Sequence, residues 1–167
     1  MKKVLASLCL LLGATASFAQ SSPSAVRWHS ITGVITAQNV NNPIANGINS
    51  GTFAWSTIGG TAKVNLNTGA FAFHVQGLVI NGTSFSGTPG PITQIEGTLV
   101  CNPGTNQQSL HDTPAANLDA QGNAQFSGNL GNLPAGCSNP LFLLRIFNPS
   151  GARGLWIATG VGRTFGL

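Results

Sequence analysis

Charge is what this chain has least of. Only 6% of its 167 residues are Asp, Glu, Lys or Arg, and the acidic ones are Glu96, Asp112 and Asp119 alone. Glycosidase-type chemistry needs two carboxylates close together, and each of these three has a plainer reading. Asp119 opens a hairpin turn, where an Asp side chain bonds the local backbone. Asp112 sits in a polar loop, and Glu96 points off the apolar face of its strand. Cationic residues are scattered singly, with no stripe or run, so nucleic acid is not read as a partner. Histidine is scarce as well: His29, His74 and His111 are the full set. None stands at ligand spacing to a cysteine, so no metal or cofactor site is read. Tyrosine is absent, which argues against a small outer-membrane barrel with its aromatic girdles. No catalytic, cofactor-binding or metal-ligating set is assigned.

What is present starts with an export signal. Lys2 and Lys3 precede an apolar run from Val4 to Gly13, and Ser17-Phe18-Ala19 supplies small residues at the cleavage positions. Residues 1–19 are read as a signal peptide of bacterial type, which places the mature protein in the periplasm or at the cell surface. Residues 20–26 are read as a flexible leader. No second long apolar run follows, so no transmembrane helix is expected after cleavage. Removing Lys2 and Lys3 leaves five cations, Arg27, Lys63, Arg145, Arg153 and Arg163, against three carboxylates, a net of +2. Cys9 is read as part of the apolar run. Cys101 and Cys137 then remain, and an even count in an exported chain predicts one disulfide.

The remainder reads as β-structure. The 22 glycines and 9 prolines fit many tight turns, and no helical period is sustained outside the signal. Gly51 to Asn81 is the clearest stretch. It reads as an antiparallel meander, with Ala62, Val64 and Leu66 on one face of a strand and Thr61, Lys63 and Asn65 on the other. Asn67-Thr68-Gly69 supplies a hairpin loop, and Phe71, Phe73 and Val75 return with His74 facing away. Arg27 to Ala37 reads as a strand with Ile31 and Ile35 inward. Gln38 to Ser50 and Asn102 to Thr113 read as loops. Leu141 to Phe147 is the most apolar strand, expected to be central, and Asn148-Pro149-Ser150-Gly151 is a type I turn. About nine strands at this spacing predict, over residues 27–167, a single antiparallel β-sandwich of Ig-like or Greek-key type with one disulfide. A small β-barrel is the alternative.

A few residues merit a functional reading. Trp28, Trp55 and Trp156 are the candidate ligand-stacking residues, since an exposed indole beside Asn-rich loops can lie on a sugar ring; core packing is the plainer reading of all three. His111-Asp112 is the place a hydrolase site would occupy. Gly82 to Gly87 lacks the glycine placement of a nucleophile elbow. Arg145 and Arg153 face each other across the Asn148–Gly151 turn, so one of them needs an acceptor such as Glu96 or a backbone carbonyl.

Asn148-Pro-Ser-Gly-Ala-Arg-Gly154, between two apolar strands, resembles the Pro-x-Gly-x-x-Arg-Gly turn that closes chordin-type (CHRD) domains. The order of elements from Gly33 to Gly77 is similar too, and together they span roughly half the mature chain. The resemblance implies a secreted β-sandwich of a family mostly without an assigned activity. The family's His-Ile-His-Gly segment has no counterpart, because Asn81 to Pro91 stands there without histidine. Any metal or ligand role of that segment is not carried over.

The function expected from these observations is that of a non-enzymatic, exported binding or structural module whose partner is a cell-surface polymer or a protein. A secreted hydrolase using His111-Asp112 and a small outer-membrane barrel are the alternatives.

Overall fold

The computed structural model describes residues 24–37 and 39–166. The expected signal peptide and residues 20–23 of the expected leader lie outside the described residues. Thirteen strands and no helix follow one another: β1 (Ala25–Gly33), β2 (Pro43–Ala45), β3 (Ile48–Asn49), β4 (Ala54–Ser56), β5 (Gly59–Asn65), β6 (Ala70–Gln76), β7 (Val79–Asn81), β8 (Gln94–Cys101), β9 (Ser109–Asp112), β10 (Ala116–Asn117), β11 (Ala124–Asn129), β12 (Leu141–Ile146) and β13 (Trp156–Gly166), among the described residues.

Nine of these strands make one antiparallel sheet, ordered β10-β8-β12-β13-β1-β5-β6-β11, with β9 also on β8. The two ends of that order, β10 and β11, are consecutive in the chain. Asp119 turns one into the other by accepting the backbone N–H groups of Gln121 and Asn123 at 2.9 and 2.8 Å. The sheet therefore curls back toward its own start, in a shape between a sandwich and a half-barrel. Aromatic contacts measure the curl. Phe142 of β12 and the Phe71 and Phe73 rings of β6 stand four places apart in the order, yet their centroids are 5.7 Å apart. Trp28 of β1 closes on Phe142 at 5.8 Å.

Period-two alternation decides which residues reach this core. In β6, Phe71, Phe73 and Val75 are buried while His74 is exposed, as its sequence predicts. β8 differs, because Ile95 to Cys101 is buried on both faces. Gly97 makes the inner contact feasible: a Cβ there would come within 2.8 Å of the Phe73 ring. Leu141 to Phe147 is central as expected, with β12 paired to β8 on one side and β13 on the other.

The expected meander is corrected. β5 and β6 form a hairpin, with Gly69 at φ +74° in its loop. β4, however, pairs with β7 as a separate two-stranded sheet. The physical reason is occupancy: β1 takes the free edge of β5, and β11 takes that of β6. Three short strands lie in segments read as loops, β2 and β3 in Gln38–Ser50 and β9 in Asn102–Thr113. β1 begins at Ala25, within the expected leader, and stops at Gly33, so Ile35 is 82% exposed instead of inward.

The expected disulfide is formed. Cys101 and Cys137 are bonded with Cα atoms 4.8 Å apart across 36 residues. The cross-link ties the end of β8 to the loop before β12, and closing a loop of that length is worth about 4 kcal/mol in the chain-entropy model. Asn102 reinforces the junction, accepting from both the backbone N–H and the hydroxyl of Ser138 at 2.9 and 2.7 Å.

Candidate functional site: a buried ionic cluster beside a cleft

Arg145 lies on β12, directly across from Glu96 on β8. Its position beside a bulge between β12 and β13 lets the side chain reach the turn that follows. Nε and Nη2 both donate to the Gly154 carbonyl, at 2.9 and 2.6 Å. The same turn holds Gly154 tightly, since a Cβ there would collide with the Ile146 carbonyl oxygen. Arg145 is only 3% exposed. Its remaining nitrogen, Nη1, stands 3.5 Å from Asp112 Oδ1 and 3.9 Å from Glu96 Oε1 and has no hydrogen-bond partner.

Asp112 is brought to this cluster by β9, where it faces Thr98 of β8. Thr98 Oγ1 donates to its Oδ1 at 2.7 Å, and Arg153 Nε donates to its Oδ2 at 3.2 Å. Two guanidinium groups thus meet two carboxylates. Burial raises the Glu96 pKa above the ordinary carboxylate value, Asp112 adds to the rise, and Arg145 and Arg153 oppose it. Burial likewise lowers the pKa of Arg145 against the pull of Asp112 and Glu96. A buried ion pair is held by its partners, not by intrinsic preference for the interior.

The β2–β3 hairpin lies over this region. Gln108 Nε2 donates to the Asn46 carbonyl at 2.8 Å, and Trp156 Nε1 donates to the Asn42 carbonyl at 2.9 Å. Between the hairpin and the cluster is a cleft of about 390 Å³, lined by Asn46, Ile48, Gln108, Arg145, Arg153 and Leu155 among others. Its size falls within the range of small-ligand sites, and its lining is more polar than most of them.

His111 and Asp112 are neighbours in the chain whose side chains point apart. They are successive residues of β9, so their side chains leave opposite faces. His111 Nε2 instead meets Ser109 Oγ at 3.1 Å, and burial lowers its pKa. The Asp112 carboxylate is held by Thr98 and Arg153. The arrangement is suited to holding a hydrogen-bonding group, with the guanidinium nitrogens as donors. Among the described residues, no group of three or more His, Cys, Asp and Glu could hold a metal ion.

The structure takes the tryptophans into the core, the plainer of their two readings, and removes the ligand-stacking one. Trp28, Trp55 and Trp156 are 1%, 4% and 5% exposed, so none offers a ring face to solvent. All three indoles belong to the buried apolar core, and Trp28 packs in the central aromatic group. Sequence reasoning also missed a pairing of cations. Arg27 of β1 and Lys63 of β5, scattered in the sequence, are direct cross-strand partners on the exposed face. The signal was available, because both occupy outward positions of strands whose apolar alternation is plain; the missing fact was which strands pair.

Comparison with protein-family models, with curated proteins and with solved structures finds no match.

Proposed function

We propose that this protein is an exported, non-enzymatic binding module of the periplasm or cell surface that takes its ligand in the cleft over Arg145. The observation that carries the reading is a buried guanidinium lining that cleft with one nitrogen lacking a hydrogen-bond partner. A bound oxygen acceptor would satisfy it, and an unsatisfied buried donor is costly. Asp112 and Glu96 already bring negative charge to Arg145, so the acceptor that fits is neutral: a sugar hydroxyl or an amide carbonyl on a cell-surface polymer or protein. The chordin-type resemblance belongs to the same proposal. The turn from Asn148 to Gly154 places the Gly154 carbonyl on Arg145 and Arg153 on Asp112, so the motif that carries the resemblance also builds the charged side of the cleft.

The test is titration calorimetry with neutral cell-envelope oligosaccharides, using Leu155→Arg to fill the cleft from its exposed rim. Binding lost in Leu155→Arg and kept in the parent supports the reading. Hydrolytic turnover of such a substrate that disappears in His111→Ala or Asp112→Asn would overturn it in favour of a hydrolase. Recovery of the uncleaved chain from the cytoplasm would remove the exported location.

A further inference from the structure

The outer face of β13, β1, β5, β6 and β11 carries a row of residues in register: Thr164, Arg27, Lys63, Ala72 and Ser127. Directly paired residues on neighbouring strands share a face and stand close together. Arg27 and Lys63 are therefore adjacent like charges, and both are exposed. One step along the same face, Thr61 pairs with His74, and Thr61 Oγ1 lies 3.2 Å from His74 Nδ1.

No carboxylate side chain answers these cations. The chain has three acidic residues. Glu96 and Asp112 stand with Arg145 and Arg153, and Asp119 is bonded into its own turn. Among the described residues, neither Arg27 nor Lys63 makes an ion pair. Small residues leave space beside the row. Ala25, Ala70, Ala72 and Gly128 help line an open trough of about 510 Å³ that also takes in Arg27 and Lys63.

We propose that this trough is a second binding surface, separate from the Arg145 cleft, for a linear acidic polysaccharide carrying carboxylates. The two cations meet carboxylates of the chain. Methyl groups and bare backbone accept the apolar faces of sugar rings, and Thr164, Ser127 and Asn65 offer hydrogen bonds to hydroxyls. The long Arg and Lys side chains can spread to follow the spacing of successive anionic groups. The footprint is too small for nucleic acid, whose binding draws on many phosphate contacts. The ligand supplies the negative charge that the chain's own acidic side chains do not bring to this face.

Binding to immobilised polygalacturonate at low salt tests the proposal, with dextran as the neutral comparison and inorganic polyphosphate as the non-carbohydrate polyanion. Arg27→Gln/Lys63→Gln keeps both exposed positions polar, and circular dichroism checks that the fold is intact. The expected result is binding to polygalacturonate, weakened by added salt. The double variant should bind about tenfold more weakly, the scale that two surface ion pairs set. Leu155→Arg, which fills the other site, should bind polygalacturonate as the parent does; that outcome separates failure of this proposal from failure of the cleft reading. Equal binding to dextran, unchanged binding by a folded double variant, or binding to polyphosphate without polygalacturonate would each overturn the proposal. So would Arg27→Glu/Lys63→Glu binding polygalacturonate as well as the parent.

Discussion

β8 and β5 are strands of the same sheet, and they treat charge in opposite ways. β8 buries both faces, and its outward Glu96 meets Arg145. β5 buries one face, and its outward Lys63 meets another cation, Arg27. The difference lies in what covers each strand. The Arg145 side of β8 and β12 is closed over by the β2–β3 hairpin and the turn at Gly154. The outer face of β5 is open. A covered face can keep a charge only if a partner comes with it, so two of the three acidic residues are drawn to that side. The open face tolerates its unpaired cations because water and salt screen them. Burial has sorted the charges of this chain into a balanced pocket and an unbalanced surface.

The largest effect that can break this contrast comes from removing the central guanidinium. Arg145→Met leaves Glu96 and Asp112 near each other without their buried counter-charge, and loss of one partner of a buried pair costs about 3–5 kcal/mol. Urea denaturation should show that loss. Arg145→Met/Glu96→Gln should recover part of it, because the second change removes a carboxylate that the first leaves unpaired. If Arg145→Met alone proves neutral, the cluster is not a structural unit and the contrast with β5 falls.

Much of the contrast's framework was legible in the sequence, and its meaning was not. The inward sets Ala62, Val64 and Phe71, Phe73, Val75 follow from alternation alone, as does the hairpin at Gly69, because both depend on residues a few positions apart. Pairing in the sheet does not. β1 sits between β13, the last described strand, and β5, which is not its neighbour in the chain, and only the β1–β5 pairing makes Arg27 a neighbour of Lys63. β9 was hidden for a related reason: Ser109 to Asp112 is polar and half-buried, and it is a strand because the edge of β8 offers it hydrogen bonds. The Arg145 cluster was half visible. The sequence called for an acceptor near Arg145 and Arg153, but Asp112, read as part of a loop, is the residue that joins the two. The tryptophans are the converse case: their type is compatible with stacking and with core packing, and what decides between the two is a tertiary closure that no local pattern encodes.

A smaller effect tests how firmly β9 is held beside the cluster. Burial lowers the His111 pKa below the ordinary 6.5. The unfolded imidazole therefore binds more protons than the folded one between the lowered value and 6.5, and stability rises with pH across that window. The stability is present above 6.5 and lost as pH falls through the folded value. Glu96 acts with the opposite sign. Its pKa is raised above 4.5, so the folded chain binds more protons between 4.5 and the raised value, and stability falls as pH rises there. Denaturation curves at pH 5 and pH 7 should show the His111 contribution as a difference that shrinks in His111→Gln. A difference of the same size in that variant would mean that His111 is solvated and that β9 does not pack where the structure places it.

The smallest effect is the one that most sharpens the comparison, because its sign is reversed. On the covered face, removing a charge should destabilise; on the open face, it should stabilise. Lys63→Gln relieves a cross-strand like-charge contact with Arg27 and should raise stability by about 0.2–1 kcal/mol at low ionic strength. Arg27→Gln should do the same, and the two changes together should gain less than their sum, since either alone removes the shared repulsion. The gain should fade in about 1 M salt, where the screening length is about 3 Å. The same cycle applied to Arg145 and Glu96 should give a coupling of the opposite sign that salt barely alters, because burial keeps ions out. A Lys63→Gln protein that is less stable than the parent at low salt would show that Lys63 is held by an attraction on its own face, and the open surface would then be as balanced as the covered one.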